Sequence, residues 1–90
     1  MAVKWNNNYF TDYIQGEMGK HGCPDGYMTI QEPSLCQKAS QNLDLRYDES
    51  KNANGENALC KWCGGCIPKI VSMAIGHGAK ARSICQLNGK

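Results

Sequence analysis

Tyr9, Phe10, Tyr13, Ile14 and Met18 recur at intervals of one, three and four residues, the spacing of one face of a helix. Asn6-Asn7-Asn8 stand just ahead, with side chains that accept from the free amides of a first turn, and Gly19 offers a stop. The pattern predicts a first amphipathic helix over 8–18, with its aromatic stripe facing a core. Lys20-His21-Gly22 then reads as a loop and Cys23-Pro24-Asp25-Gly26 as turn chemistry. Tyr27-Met28-Thr29-Ile30 has strand character. Pro33 suits the first turn of a second helix, where its missing amide costs nothing. Leu35, Cys36, Ala39 and Leu43 line one face of that helix, which points Cys36 inward. A polar stretch from Asp48 to Asn57 reads as a solvent loop or hairpin tip. Pro68 near the start, with Ile67, Ile70, Val71 and Ala74 as its apolar positions, predicts a third short helix ended by Gly76 and Gly78 around His77. Ala81 to Leu87 reads as a strand able to pair with Tyr27–Ile30. The expected fold class is α+β: one small disulfide-stabilised domain with two or three short helices and a short two-stranded sheet.

Composition explains why staples are needed. A chain of 90 residues has one Phe and a mean hydropathy of −0.54, too polar to rest on apolar burial alone. Six cysteines, an even number, point to cross-links from an oxidising compartment, each contributing about 2–4 kcal/mol. No apolar h-region appears in the first ten residues, so no signal peptide is read and residue 1 reads as a mature or recombinant end. Ile70 to Ile75, the longest nearly apolar stretch, is far too short to span a bilayer.

Charge is segregated. All eight acidic residues lie between Asp12 and Glu56, whereas Lys61, Lys69, Lys80, Arg82 and Lys90 follow with no acid among them. This basic half is either a solvated face or a docking patch for an acidic partner. Nucleic acid is disfavoured, because the cations are sparse and lack interleaved aromatics.

Candidate chemistry concentrates in Cys60-Lys61-Trp62-Cys63-Gly64-Gly65-Cys66. Trp62 to Cys66 looks like a thioredoxin-type motif, and Cys63 precedes what could be a helix whose dipole would stabilise a thiolate. That fold needs a buried apolar strand before the motif, and Asn54 to Ala58 cannot be one. An iron–sulfur run would lack its fourth nearby cysteine. For zinc, Cys60, Cys63 and Cys66 with His77 or Cys85 are acceptable ligands, without the usual second pair. A disulfide framework accounts for Cys23, Cys36, Cys60, Cys63, Cys66 and Cys85 together, with fifteen connectivities open. His21 and His77, each beside glycine, read as solvent loop residues. Asp48, Glu49 and Glu56 fit no calcium loop, and no nucleophile–base arrangement or phosphate loop is present.

Cys23-Pro24-x-Gly26-Tyr27-x-x-Ile30, then Cys36, Ala39 and Leu43-x-Leu45, followed by Gly65-Cys66 and Ala81-Arg82-Ser83-Ile84-Cys85, resembles a small cysteine module of uncharacterised dinoflagellate and other algal proteins. The resemblance covers about residues 23–87 and divides the chain into an N-terminal helical arm, 1–22, and the module. Asp44 departs from it, standing where a glycine is usual, and Ile67 to Ile70 replace an expected aromatic segment. Cys60 and Cys63 are additional to the module's four cysteines, which makes a tight local bridge between those two the implied surplus pair. The module implies no defined catalytic activity.

The resulting expectation is a non-catalytic protein-binding or structural module with no cofactor and no bound metal. Its setting is secreted or lumenal, and an accessory subunit of an algal photosynthetic membrane assembly is one such place. Lys61, Trp62, Lys69, Lys80 and Arg82 are the expected exposed contacts for an acidic partner, with Trp5 and the aromatic helix as an arm. The alternatives are a thiol–disulfide redox protein using Cys63 and Cys66, or a metal-binding cysteine cluster.

Overall fold

The computed structural model describes residues 12–88. Strands β1 (Tyr13–Gln15) and β2 (Tyr27–Thr29) precede helix α1 (Pro33–Asn42). A 3₁₀ turn (Glu49–Lys51) leads to β3 (Leu59–Cys63), β4 (Ile70–Ala74) and β5 (Ala81–Leu87). The strands form one antiparallel five-stranded sheet in the order β1-β5-β3-β4, with β2 also paired to β5. β1 and β2 both pair with Cys85 and Gln86, so they lie on opposite edges of β5. β2 therefore stands end to end with β3, and the Cys60 amide donates to the Ile30 carbonyl at 2.9 Å across that junction.

The expected fold class is thus corrected: the described residues are mostly sheet, with one α-helix. The helix predicted over 8–18 is overturned within the described residues, where Tyr13–Gln15 is a strand; Trp5 and residues 6–11 lie outside them. The helix predicted near Pro68 is β4. Ile70, Val71 and Ala74 match helical spacing, but β-branched Ile70-Val71 favours a pleated surface, and β4 is paired on both edges. On one side it meets β3; on the other it meets the segment 46–53 around the 3₁₀ turn, where the Asp48 amide donates to the Val71 carbonyl and the Ala53 amide to the Met73 carbonyl. A continuous buried run is what such an inner strand requires. The pairing of Tyr27–Thr29 with β5 and the helix after Pro33 match expectation.

Alternation along the strands separates two faces. Cys60, Val71, Met73 and Ile84 point to the face covered by α1, where they meet Cys36, Ala39, Ile30 and Ala58 in the core, with Trp62 packed at its margin. Leu59, Lys61, Cys63, Ser72, Ser83 and Cys85 belong to the opposite face. α1 ends in a Schellman arrangement: the Leu45 amide donates to the Ser40 carbonyl, and the Asp44 amide to the Gln41 carbonyl. Asp44 holds the left-handed conformation there, at φ 59°.

All six cysteines are bridged: Cys23–Cys85, Cys36–Cys60 and Cys63–Cys66. The implied Cys60–Cys63 bridge is corrected. Alternation puts neighbours Cys60 and Cys63 on opposite faces of β3, so Cys60 crosses the core to α1 and Cys63 closes the hairpin turn.

Candidate functional site

Trp62, Lys69 and Arg82 converge although they lie on three different segments. Trp62 faces Arg82 across the β3–β5 ladder and Val71 across the β3–β4 ladder, and Lys69 is two residues before Val71, on the same face. Lys69 Nζ lies 5.7 Å and Arg82 Cζ 5.9 Å from the Trp62 ring, both within cation–π reach. Arg82 Nε is buried and has no hydrogen-bond partner. In the turn between β3 and β4, Ile67 is 99% exposed.

Gly64 makes the approach of β5 to this hairpin possible. Its amide donates to the Lys80 carbonyl at 3.0 Å, and a Cβ there would collide with that oxygen and with the Trp62 ring. The Cys63–Cys66 bridge spans this turn, with Cα atoms 5.5 Å apart. A strand, not a helix, follows Cys66. The redox expectation placed a helix N-terminus beside the Cys63 thiolate; the fold supplies none. Among the described residues no group of three His, Cys, Asp or Glu gathers to hold a metal ion.

Lys61 is not the exposed contact expected. It is 3% exposed, at the middle of β3 between Ser72 and Ser83 of the neighbouring strands. Its Nζ donates to the Gly76 carbonyl at 2.9 Å and lies 3.1 Å from His21 Nδ1. The cover is thin: the Gly76 loop on one side and the His21 segment on the other. The Gly22 amide ties that segment down by donating to Ser83 Oγ at 3.1 Å, and the Cys23–Cys85 bridge fixes its end. Desolvation lowers the Lys61 pKa below the ordinary lysine value, and no carboxylate among the described residues pairs with it.

His77 joins this cluster, its ring T-shaped against that of His21 with centroids 5.4 Å apart. Both His77 ring nitrogens are buried without a hydrogen-bond partner among the described residues; the Ala81 backbone favours its protonated form but makes no bond of good geometry. Burial first, then the positive charges of Lys61 and His21, hold the His77 pKa below the usual imidazole value. The two histidines read as loop residues therefore meet at a lysine 40 and 16 positions away in sequence. Sequence reading missed this cluster, although an isolated lysine inside the apolar run Leu59-Cys60-Lys61-Trp62-Cys63 was a signal for it.

A cavity of about 410 Å³ opens beside Lys61, walled largely by Trp62, Ala74, Ala79 and Ala81 together with glycines, with Lys80 also on its lining. Lys80 and Lys69 are exposed and Arg82 is half-buried. No described helix is long and apolar enough to cross a membrane. No family model, curated protein or solved structure matches the chain.

Proposed function

We propose that the protein is a disulfide-stabilised binding module that docks an acidic protein partner through Trp62, Lys69, Arg82 and Lys80. The observation that carries this reading is the Trp62 ring within cation–π reach of two cations, with no carboxylate among the described residues paired to them. Aromatic residues and arginine at a rigid centre are the composition of binding hot spots. Ile67 adds an exposed apolar contact at the same hairpin. Three disulfides are what an oxidising compartment sustains, so the module works outside the cell or in an organelle lumen. The resemblance to algal cysteine modules makes an accessory subunit of a photosynthetic assembly one such setting.

The test uses immobilised polyglutamate as the acidic probe. Trp62→Ala should weaken binding by more than about 1 kcal/mol. Charge reversal at Lys69, Lys80 or Arg82 should mainly slow association and reduce its salt dependence. Binding that is insensitive to salt and to all four substitutions overturns the reading. Insulin-reduction assays run in parallel address the thiol alternative: turnover lost in Cys63→Ser would establish redox activity instead.

A further inference from the structure

We infer that the cavity beside Lys61 is a binding site for a small monocarboxylate with an apolar body. The site borders the docking surface, with Trp62 and Lys80 on its lining, but its anchor is Lys61.

An ammonium group carries three donors. Two are directed at the Gly76 carbonyl and His21 Nδ1, and the third has no partner among the described residues. The contact with the His21 ring nitrogen brings no negative charge to Lys61. A buried charge is ordinarily paired, because removing it from water is otherwise costly. Here the surroundings are His21, His77 and two serines on the flanking strands, none of them an anion. The missing complement is one negative charge.

The cavity walls select its carrier. They combine a tryptophan, alanines and glycines with Cys63, Ser72 and two lysines, and the volume of about 410 Å³ falls at the small end of ligand pockets. Phosphate or sulfate requires several convergent donors, commonly an arginine fork or a helix N-terminus. This cavity offers Lys61, the Ser72 hydroxyl and the exposed Lys80, with no arginine and no helix N-terminus. A carboxylate meets Lys61 with one charge-assisted hydrogen bond, and its apolar remainder fills the alanine- and tryptophan-lined space. Gly76, whose carbonyl holds Nζ, also lines the cavity, so the ammonium stands at its wall.

Benzoate is the probe, with benzamide as its uncharged counterpart and inorganic phosphate as the competing anion. Benzoate should move the Lys61 side-chain NMR resonances and quench or shift Trp62 fluorescence. Benzamide and phosphate should bind about tenfold more weakly, the loss expected for one charge-assisted contact. Lys61→Met fills the same volume without the charge; it should keep native chemical-shift dispersion and lose benzoate binding by about the same factor. Ala74→Phe, which fills the cavity while retaining Lys61, should also abolish binding, and it decides the matter should Lys61→Met not fold. The double variant Lys69→Glu, Arg82→Glu should bind benzoate as the native protein does, which separates this site from the docking surface. Benzamide binding as tightly as benzoate, phosphate binding more tightly, an unmoved Lys61 resonance at millimolar benzoate, or full benzoate affinity in a folded Lys61→Met or Ala74→Phe protein would each overturn the inference.

Discussion

The Cys36–Cys60 bridge is where the framework and the core coincide, so its removal gives the sharpest test of how this domain is stabilised. The two residues are separated by 24 positions and both are fully buried, joining α1 to the start of β3. In the chain-entropy description, opening a loop of that size returns about 3.5 kcal/mol to the unfolded state. The bridge lies inside the larger Cys23–Cys85 loop, of separation 62, which already restricts the unfolded chain. That figure is therefore an upper bound for the entropy alone. Replacing both cysteines by alanine also leaves a small void among Ile30, Ala39 and Ile84, which adds a cavity cost. The two corrections oppose each other, and a net loss of about 3–4 kcal/mol is expected. For a domain of this size each kcal/mol lowers the Tm by about 4–8 °C, so the double variant should melt some 12–30 °C lower. The same treatment gives only about 1.6 kcal/mol for Cys63–Cys66, of separation 3. Thermal unfolding followed by circular dichroism without reductant compares the two double-alanine variants directly. A Cys36→Ala, Cys60→Ala protein that melts within about 4 °C of the native one, less than a single kcal/mol, would refute the reasoning. So would a larger loss from the Cys63, Cys66 pair.

Asp44→Gly should raise stability by about 1 kcal/mol, because a non-glycine residue in the left-handed region carries a penalty that glycine avoids; an unchanged or lower urea midpoint would contradict it. The Lys61 and His77 pKa values are both depressed in the folded state, so the unfolded chain binds more protons below 10.5 and below 6.5, respectively. Stability should therefore rise with pH through each window, with the relief complete above the ordinary value and gone once pH falls below the folded one. Urea midpoints measured from pH 5 to 10.5 should show the alkaline rise in the native protein and not in Lys61→Met; a flat or falling native profile near pH 10 would count against the buried charge.

The parts of the fold that could be read from the chain are those where local chemistry leaves one option. Pro33 after Glu32 starts a helix, and Leu35, Cys36, Ala39 and Leu43 repeat at a spacing only a helix can use. Tyr27–Thr29 and Ala81–Leu87 pair as their composition proposes. Ile70–Ala74 was ambiguous for a physical reason. Five apolar or small residues fit either a buried strand or a helix turn, and the deciding partner, chain 46–53, lies far away in sequence. Asp44 was not legible as a helix stop because its position requires positive φ, which glycine meets without cost and Asp tolerates with some. The pairing of six cysteines was open because alternation matters only once a segment is known to be a strand. With β3 assigned, Cys60 and Cys63 must face opposite sides, and their bridges diverge.

The same alternation accounts for what was hidden at the site. Read as a surface run, Lys61-Trp62 puts a cation and an aromatic side by side. Read as a strand, it turns Trp62 toward Lys69 and Arg82 and drives Lys61 to the other face, under His21. One dipeptide thus feeds both faces of the sheet, each held by its own bridge. Cys63–Cys66 closes the hairpin next to Trp62, and Gly64 permits the contact with Lys80 that keeps β5 and Arg82 in register. Cys23–Cys85 pins the segment whose Gly22 amide engages Ser83 and whose His21 covers Lys61. Loss of Cys23–Cys85 would therefore uncover Lys61 and return its pKa toward the ordinary lysine value, while leaving the Trp62 surface in place. The framework does more than compensate for a small core: it sets which side of β3 meets water.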